Sequence, residues 1–121
     1  MAEREIHDHW FKEAKRKGYR SRAAFKLMQI DDRRGVLNKG DQVLDLGCAP
    51  GSWLQVIAER VGPKGCAWGI DLKEVDAGLP DNVTALLGNA EDPKGAGVPT
   101  DFLFDSILSD MMPSTTGSRD T

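Results

Sequence analysis

The chain has 121 residues, 16 of them basic and 19 acidic, for a formal net charge of −3. That length suits one α/β domain with a real core rather than several domains, and 40% hydrophobic against 29% charged residues is the balance of a globular protein in water. No run is apolar enough to span a membrane, the charged start is no signal peptide, and the two cysteines, Cys48 and Cys66, match no zinc pattern and fit a reducing, cytoplasmic setting.

The first third is basic, with Lys12, Lys15, Arg16, Lys17, Arg20, Arg22, Lys26, Arg33 and Arg34 crowded together. A helix is expected from about Asp8 to Lys17, ended by Gly18. A second is expected from Ser21 as N-cap to about Asp31, with Ala24, Leu27, Met28 and Ile30 as its apolar positions. Cations interleaved with Trp10, Phe11 and Tyr19 make an electrostatic footprint for a phosphate backbone. Lys15, Lys17, Arg20 and Arg22 are the leading contacts, and a merely solvated basic face is the plain alternative. Residues 1–35 are therefore read as a basic helical leader, packed on the domain, that suits a nucleic-acid backbone. His7 and His9 are too isolated to hold a metal, and no metal site is expected.

Asn38 to Asp41 form a turn before a first strand, Gln42 to Leu46. The chain then runs through Gly47-Cys48-Ala49-Pro50-Gly51 into a helix from Ser52 to Val61, with Trp53, Leu54, Val56, Ile57 and Val61 near helical spacing. Gly47 and Gly51 lack a Cβ and permit a close backbone approach, at the carboxyl end of a strand, where open sheets bind nucleotide-like ligands. A dinucleotide fingerprint needs G-x-G-x-x-G around a pyrophosphate. Here the middle glycine is missing, and Pro50 removes a backbone donor. A ligand with an adenosine and a positive centre fits better, and S-adenosylmethionine is such a ligand, with Asp45 facing its cationic end. A plain packing turn is the alternative.

Gly62 to Gly65 break the helix, and a second strand, Ala67 to Leu72, carries Asp71 about twenty residues past the turn. In βαβ units an acid there accepts hydrogen bonds from ribose hydroxyls; an N-cap or turn role is the plainer one. A third strand is expected over Val83 to Leu87. Residues 88–100 hold at most a short helical turn, and a fourth strand spans Phe104 to Asp110. Strands alternating with crossovers predict a parallel α/β sheet. The sequence stops just past the fourth strand, where a doubly wound domain continues, so the expectation is a sheet cut short there, whose open edge favours self-association.

Three segments together resemble the FtsJ/RrmJ family of ribosomal RNA 2′-O-methyltransferases: Lys17 to Leu27 (KGYRSRAAFKL), the Asp45 to Trp53 turn, and Ser109-Asp110-Met111-Met112-Pro113 with Thr115-Thr116-Gly117. The resemblance implies a Rossmann-like methyltransferase fold over residues 36–121 and S-adenosylmethionine as donor. It implies a uridine 2′-hydroxyl of large-subunit rRNA as target, with rRNA or the large ribosomal subunit as partner. It places Asp45, Gly47, Ala49, Pro50, Gly51, Trp53, Asp71, Asn89 and Asp110 at the donor. It also matches Lys26 and Asp110 to two members of a Lys-Asp-Lys-Glu tetrad. Lys26 then positions the ribose, and Asp110 supports a second lysine that takes the hydroxyl proton, its pKa lowered by its surroundings. That lysine and the glutamate fall beyond the end of this sequence, so a non-catalytic cofactor- or RNA-binding module is the rival reading. Asn89 stands where the family usually has an acid against adenine. A nucleotide-dependent oxidoreductase is disfavoured by Pro50 and the missing glycine.

Overall fold

The computed structural model describes residues 12, 16–99, 101 and 103–109. Lys15 and Asp110 lie outside the described residues, as does most of the helix expected over Asp8 to Lys17, of which Lys12 and Arg16 are helical. Helix α1 spans Ala23–Arg34, followed by β1 (Gln42–Leu46), α2 (Ser52–Val61), β2 (Cys66–Asp71), β3 (Val83–Leu87), the short α3 (Pro93–Ala96) and β4 (Ser106–Ser109).

The strands form a wholly parallel sheet in the order β3-β2-β1-β4, so every carboxyl end falls on one edge. The chain reaches β2 and β4 on opposite sides of β1, the arrangement that leaves a crevice at the carboxyl ends of such sheets. Val43 and Ala67 point to one face, where Leu54, Ile57 and Val61 of α2 and Ala24 and Leu27 of α1 complete the main core. Residues from the basic leader thus share the core of the sheet domain. On the other face Leu44 and Ile70 pack with Val98, bordered by Leu46, Trp68, Leu86 and Phe104.

Several boundaries differ from expectation for visible reasons. Helix α1 continues three residues past Asp31, because Asp31 is itself buried on its inner face with Ala24 and Leu27. It stops at Gly35, whose left-handed backbone (φ 64°) donates its N–H to the Asp31 carbonyl. Ser21 is not the N-cap; Arg22 is, and the Ser21 hydroxyl meets the Ser52 hydroxyl at 2.7 Å instead. β2 starts one residue early because the Cys66 N–H donates to the Asp41 carbonyl (3.0 Å). β4 is pinned at its start by Asp105, which donates its N–H to the Gln42 carbonyl (2.7 Å) and accepts the Gln42 N–H on its carboxylate (2.8 Å). Ile107 on β4 is 61% exposed, but among the described residues nothing further supports self-association through that edge.

Candidate functional site

β1 delivers Asp45, 1% exposed, to the base of the glycine turn. Gly47 (φ 78°) turns the chain, and the N–H groups of Gly47 and Cys48 both donate to the Ile70 carbonyl, at 2.7 and 3.1 Å. The end of β1 is thereby fastened over the end of β2. Asp71 fastens it again: one carboxylate oxygen accepts the Ala49 N–H (2.9 Å) and the other accepts the Lys73 N–H (2.8 Å). A carboxylate offers about four lone-pair sites, so Asp71 orders both loops and still has room for a ligand hydroxyl.

Two cavities meet at Gly47. One, of about 260 Å³, is lined by Gly47, Asp71, Leu72, Asn89, Ala90 and Glu91. The other, of about 150 Å³, is lined by Ala23, Asp45, Gly47, Cys48, Ala49, Pro50, Ser52 and Trp53. Seven of the residues singled out from the sequence therefore border two neighbouring cavities that share Gly47. Gly51 does not line it. A Cβ there would sit 3.2 Å from Val75 and 3.3 Å from Arg20, at a φ of +113°, so this glycine serves the packing of the protein's own side chains. Asn89 accepts the Glu91 N–H on its side-chain oxygen (2.8 Å), an Asx turn that leaves that oxygen one lone pair. Glu91 escaped the sequence reading, since no strand end or spacing marks it.

Cys48 is buried, and burial first, then the Asp45 and Asp71 carboxylates, pushes its thiol up to about 12. It stays protonated at neutral pH and packs against Gly69, where an added Cβ would fall 2.7 Å from its sulfur. A thiol in this state is no nucleophile. Among the described residues no three His, Cys, Asp or Glu side chains gather as for a metal.

The leader is stitched to this region. Arg20 donates from one guanidinium nitrogen to the Pro50 carbonyl (2.9 Å) and from another to the Ala77 carbonyl (2.6 Å). Its main-chain N–H donates to the Gln55 side chain (2.9 Å), which in turn donates to the Gly18 carbonyl (3.0 Å). Trp53 donates its indole N–H to the Ala23 carbonyl (2.9 Å). Gln55 also escaped the sequence reading, although a polar side chain in the largely apolar α2 was a usable signal. Lys17 and Arg22 are exposed. Lys26, also exposed, lines a groove of about 210 Å³ on α1 with Gln29, Ile30, Arg33 and Arg34.

The chain is 47% identical over 116 residues to a ribosomal RNA large subunit methyltransferase E from Syntrophobacter fumaroxidans, covering 94% of this chain and 59% of that protein. It is 49% identical over 116 residues to the protein of the same description from Desulforapulum autotrophicum, covering 93% and 56% respectively. The chain thus spans under two thirds of the length of these relatives. Among solved structures, a protein described as a ribosomal RNA methyltransferase from Plasmodium falciparum superposes with a TM-score of 0.67 at 38% identity, over 82% of this chain and 59% of that one. The fold is therefore the Rossmann-like fold of a methyltransferase. A model of the FtsJ-like methyltransferases matches residues 19–121, and the chain belongs to that family.

Proposed function

We propose that this chain carries the donor-binding part of an S-adenosylmethionine-dependent RNA methyltransferase that acts on a ribose 2′-hydroxyl, that of a uridine in large-subunit rRNA. One observation carries the reading: Asp45, Gly47, Ala49, Pro50, Trp53, Asp71 and Asn89 border two adjoining cavities at the carboxyl edge of the sheet. Together these cavities fall within the roughly 300–1,000 Å³ of small-molecule sites, and their chemistry fits the donor from end to end. Asp71 meets the ribose hydroxyls, Asn89 the adenine edge, and Asp45 the cationic amino acid end. The bound donor supplies an electrophilic methyl group.

The chain's own residues bind and orient. An in-line displacement gains much of its rate from holding the hydroxyl in place, and Lys26 is the ribose-positioning cation. By the match to the family's tetrad, Asp110 is the residue that borders donor and acceptor. Lys15, Lys17 and Arg22 hold the RNA backbone, and the α1 groove around Lys26 extends that cationic path. The setting that suits this chemistry is the cytoplasm; among the described residues no helix is long and apolar enough to cross a membrane.

Calorimetric titration with S-adenosylmethionine, with NADH as control ligand, tests the donor site. Binding of the methyl donor alone is expected, and Asp71→Ala is expected to abolish it. An unchanged affinity in the variant sinks the assignment of Asp71. The rival reading is a module that binds donor or RNA without transferring a methyl group. Methyl incorporation into RNA by this chain separates the two.

A further inference from the structure

The loop after β1 and the loop after β2 form the two walls of the donor region, and neither belongs to regular structure. Something must hold their separation. The glycine turn contributes Pro50 to the smaller cavity, and the loop after β2 begins at Asp71 and Leu72 in the larger one. Asp71 joins them at the sheet edge through the Ala49 N–H. Farther out, the joint is the Arg20 guanidinium, with one nitrogen on the Pro50 carbonyl and another on the Ala77 carbonyl.

Three features show that this clamp is built in. The Arg20 backbone is itself fixed, because its N–H sits on Gln55 and Gln55 returns to Gly18. Its stem lies against Gly51, where a Cβ would come within 3.3 Å of it. Its outer nitrogen lies 3.7 Å from where a Cβ of Gly78 would be, a residue held at φ +99°. Gly51 thus leaves room for the stem of the arginine, while Gly78 lies at ordinary contact distance from its outer nitrogen. Hydrogen bonds from a charged donor are among the stronger kind, and the rigid fork of a guanidinium reaches two acceptors at once, which an ammonium on a flexible stem does not do in the same geometry.

We infer that Arg20 is a positioning residue of the donor site, tying the turn after β1 to the loop after β2, rather than one of the leader's phosphate contacts. The inference rests on the donor reading above. It separates two arginines that lie two residues apart: Arg20 faces the donor loops, and Arg22 is exposed for RNA.

The test uses the full chain, its Arg20→Ala, Arg20→Lys and Arg22→Ala variants, calorimetry with S-adenosylmethionine, and binding of a uridine-rich single-stranded RNA oligonucleotide across a salt series. Circular dichroism confirms folding. Arg20→Ala is expected to raise the donor dissociation constant at least tenfold with the RNA salt slope unchanged. Arg20→Lys is expected to be nearly as weak, although it keeps charge and stem. Arg22→Ala is expected to lower the salt slope by about 0.7 with donor affinity intact. If Arg20→Ala does not fold, Arg20→Lys carries the test. An unchanged donor constant in the Arg20 variants overturns the inference, as does full rescue by lysine or a salt slope lowered by Arg20→Ala. Failure of the unaltered chain to bind donor is a different result: it overturns the donor reading and this inference with it.

Discussion

Tyr19 is the only tyrosine in the chain, and its phenol donates to Glu59 at 2.7 Å while its ring meets Phe25 edge-on. Burial first, then the hydrogen bond to Glu59 and that carboxylate's charge, raises its pKa to about 12. A pKa raised by folding means that the folded state holds the proton more tightly than the unfolded chain does. The resulting stability is fully present below the ordinary tyrosine value of about 10. It is lost as pH climbs from there through 12. Cys48, raised to about 12 from a lower starting value, loses its share over an overlapping range. An ultraviolet titration of phenolate should therefore show a native midpoint near 12, lowered in Glu59→Gln and returned to about 10 in denaturant. A native midpoint near 10 would show that Tyr19 is not held as described. The same scale shows what a sequence exposes. The strand-end positions of Asp45 and Asp71 were legible because the first lies where an apolar strand runs into a glycine turn and the second closes another apolar strand about twenty residues on. The Arg20 clamp was not, since its carbonyl partners lie 30 and 57 residues away and any residue type supplies a carbonyl.

Elements were legible where glycine and proline punctuate them. β1, α2 and β3 fall on the residues that periodicity and turn signals mark out. The end of α1 was hidden because its pattern continues through a carboxylate. Ala24, Leu27 and Asp31 keep helical spacing on the buried face, yet an acid reads as a helix end when its partner lies far along the chain. That partner is Arg60 on α2, which meets Asp31 at 2.9 Å and Asp32 at 2.8 Å from the same nitrogen. The two carboxylates are unequal. Asp31 is 7% exposed and also accepts the N–H of the buried Leu37 (2.7 Å), whereas the Asp32 side chain is 68% exposed. Removing the first strands a buried donor, at a cost of about 1–3 kcal/mol. Removing the second costs at most about 1 kcal/mol, the range of exposed pairs. Urea unfolding of Asp31→Ala and Asp32→Ala should show that order, with Asp31→Asn between them because it keeps an acceptor for Leu37. Equal losses in the two alanine variants would mean that the Leu37 bond contributes nothing.

Across the whole molecule, that same ion pairing decides how a chain of net charge −3 presents a cationic face. Arg60 draws Asp31 and Asp32 toward α2, so the acids next to Arg33 and Arg34 in sequence do not neutralise the opposite stripe of α1. Gln29 and Ile30 lie three and four residues past Lys26, and Arg33 and Arg34 one further turn on, so the five share one side of α1 and line a common groove. The stripe begins at the lysine proposed to position the ribose, so an RNA strand that places its target there runs its backbone along these arginines. Each phosphate neutralised on a single strand adds about 0.7 to the slope of log affinity against log salt. Arg33→Ala with Arg34→Ala should flatten that slope by about 0.7 for each arginine engaged, and leave donor binding untouched because neither residue borders the donor cavities. A slope identical to that of the unaltered chain would confine the RNA path to the cations before α1 and leave the α1 stripe as a solvated face. A loss of donor affinity instead would mean that α1 transmits its state to the glycine turn, through contacts such as the Trp53 bond to the Ala23 carbonyl.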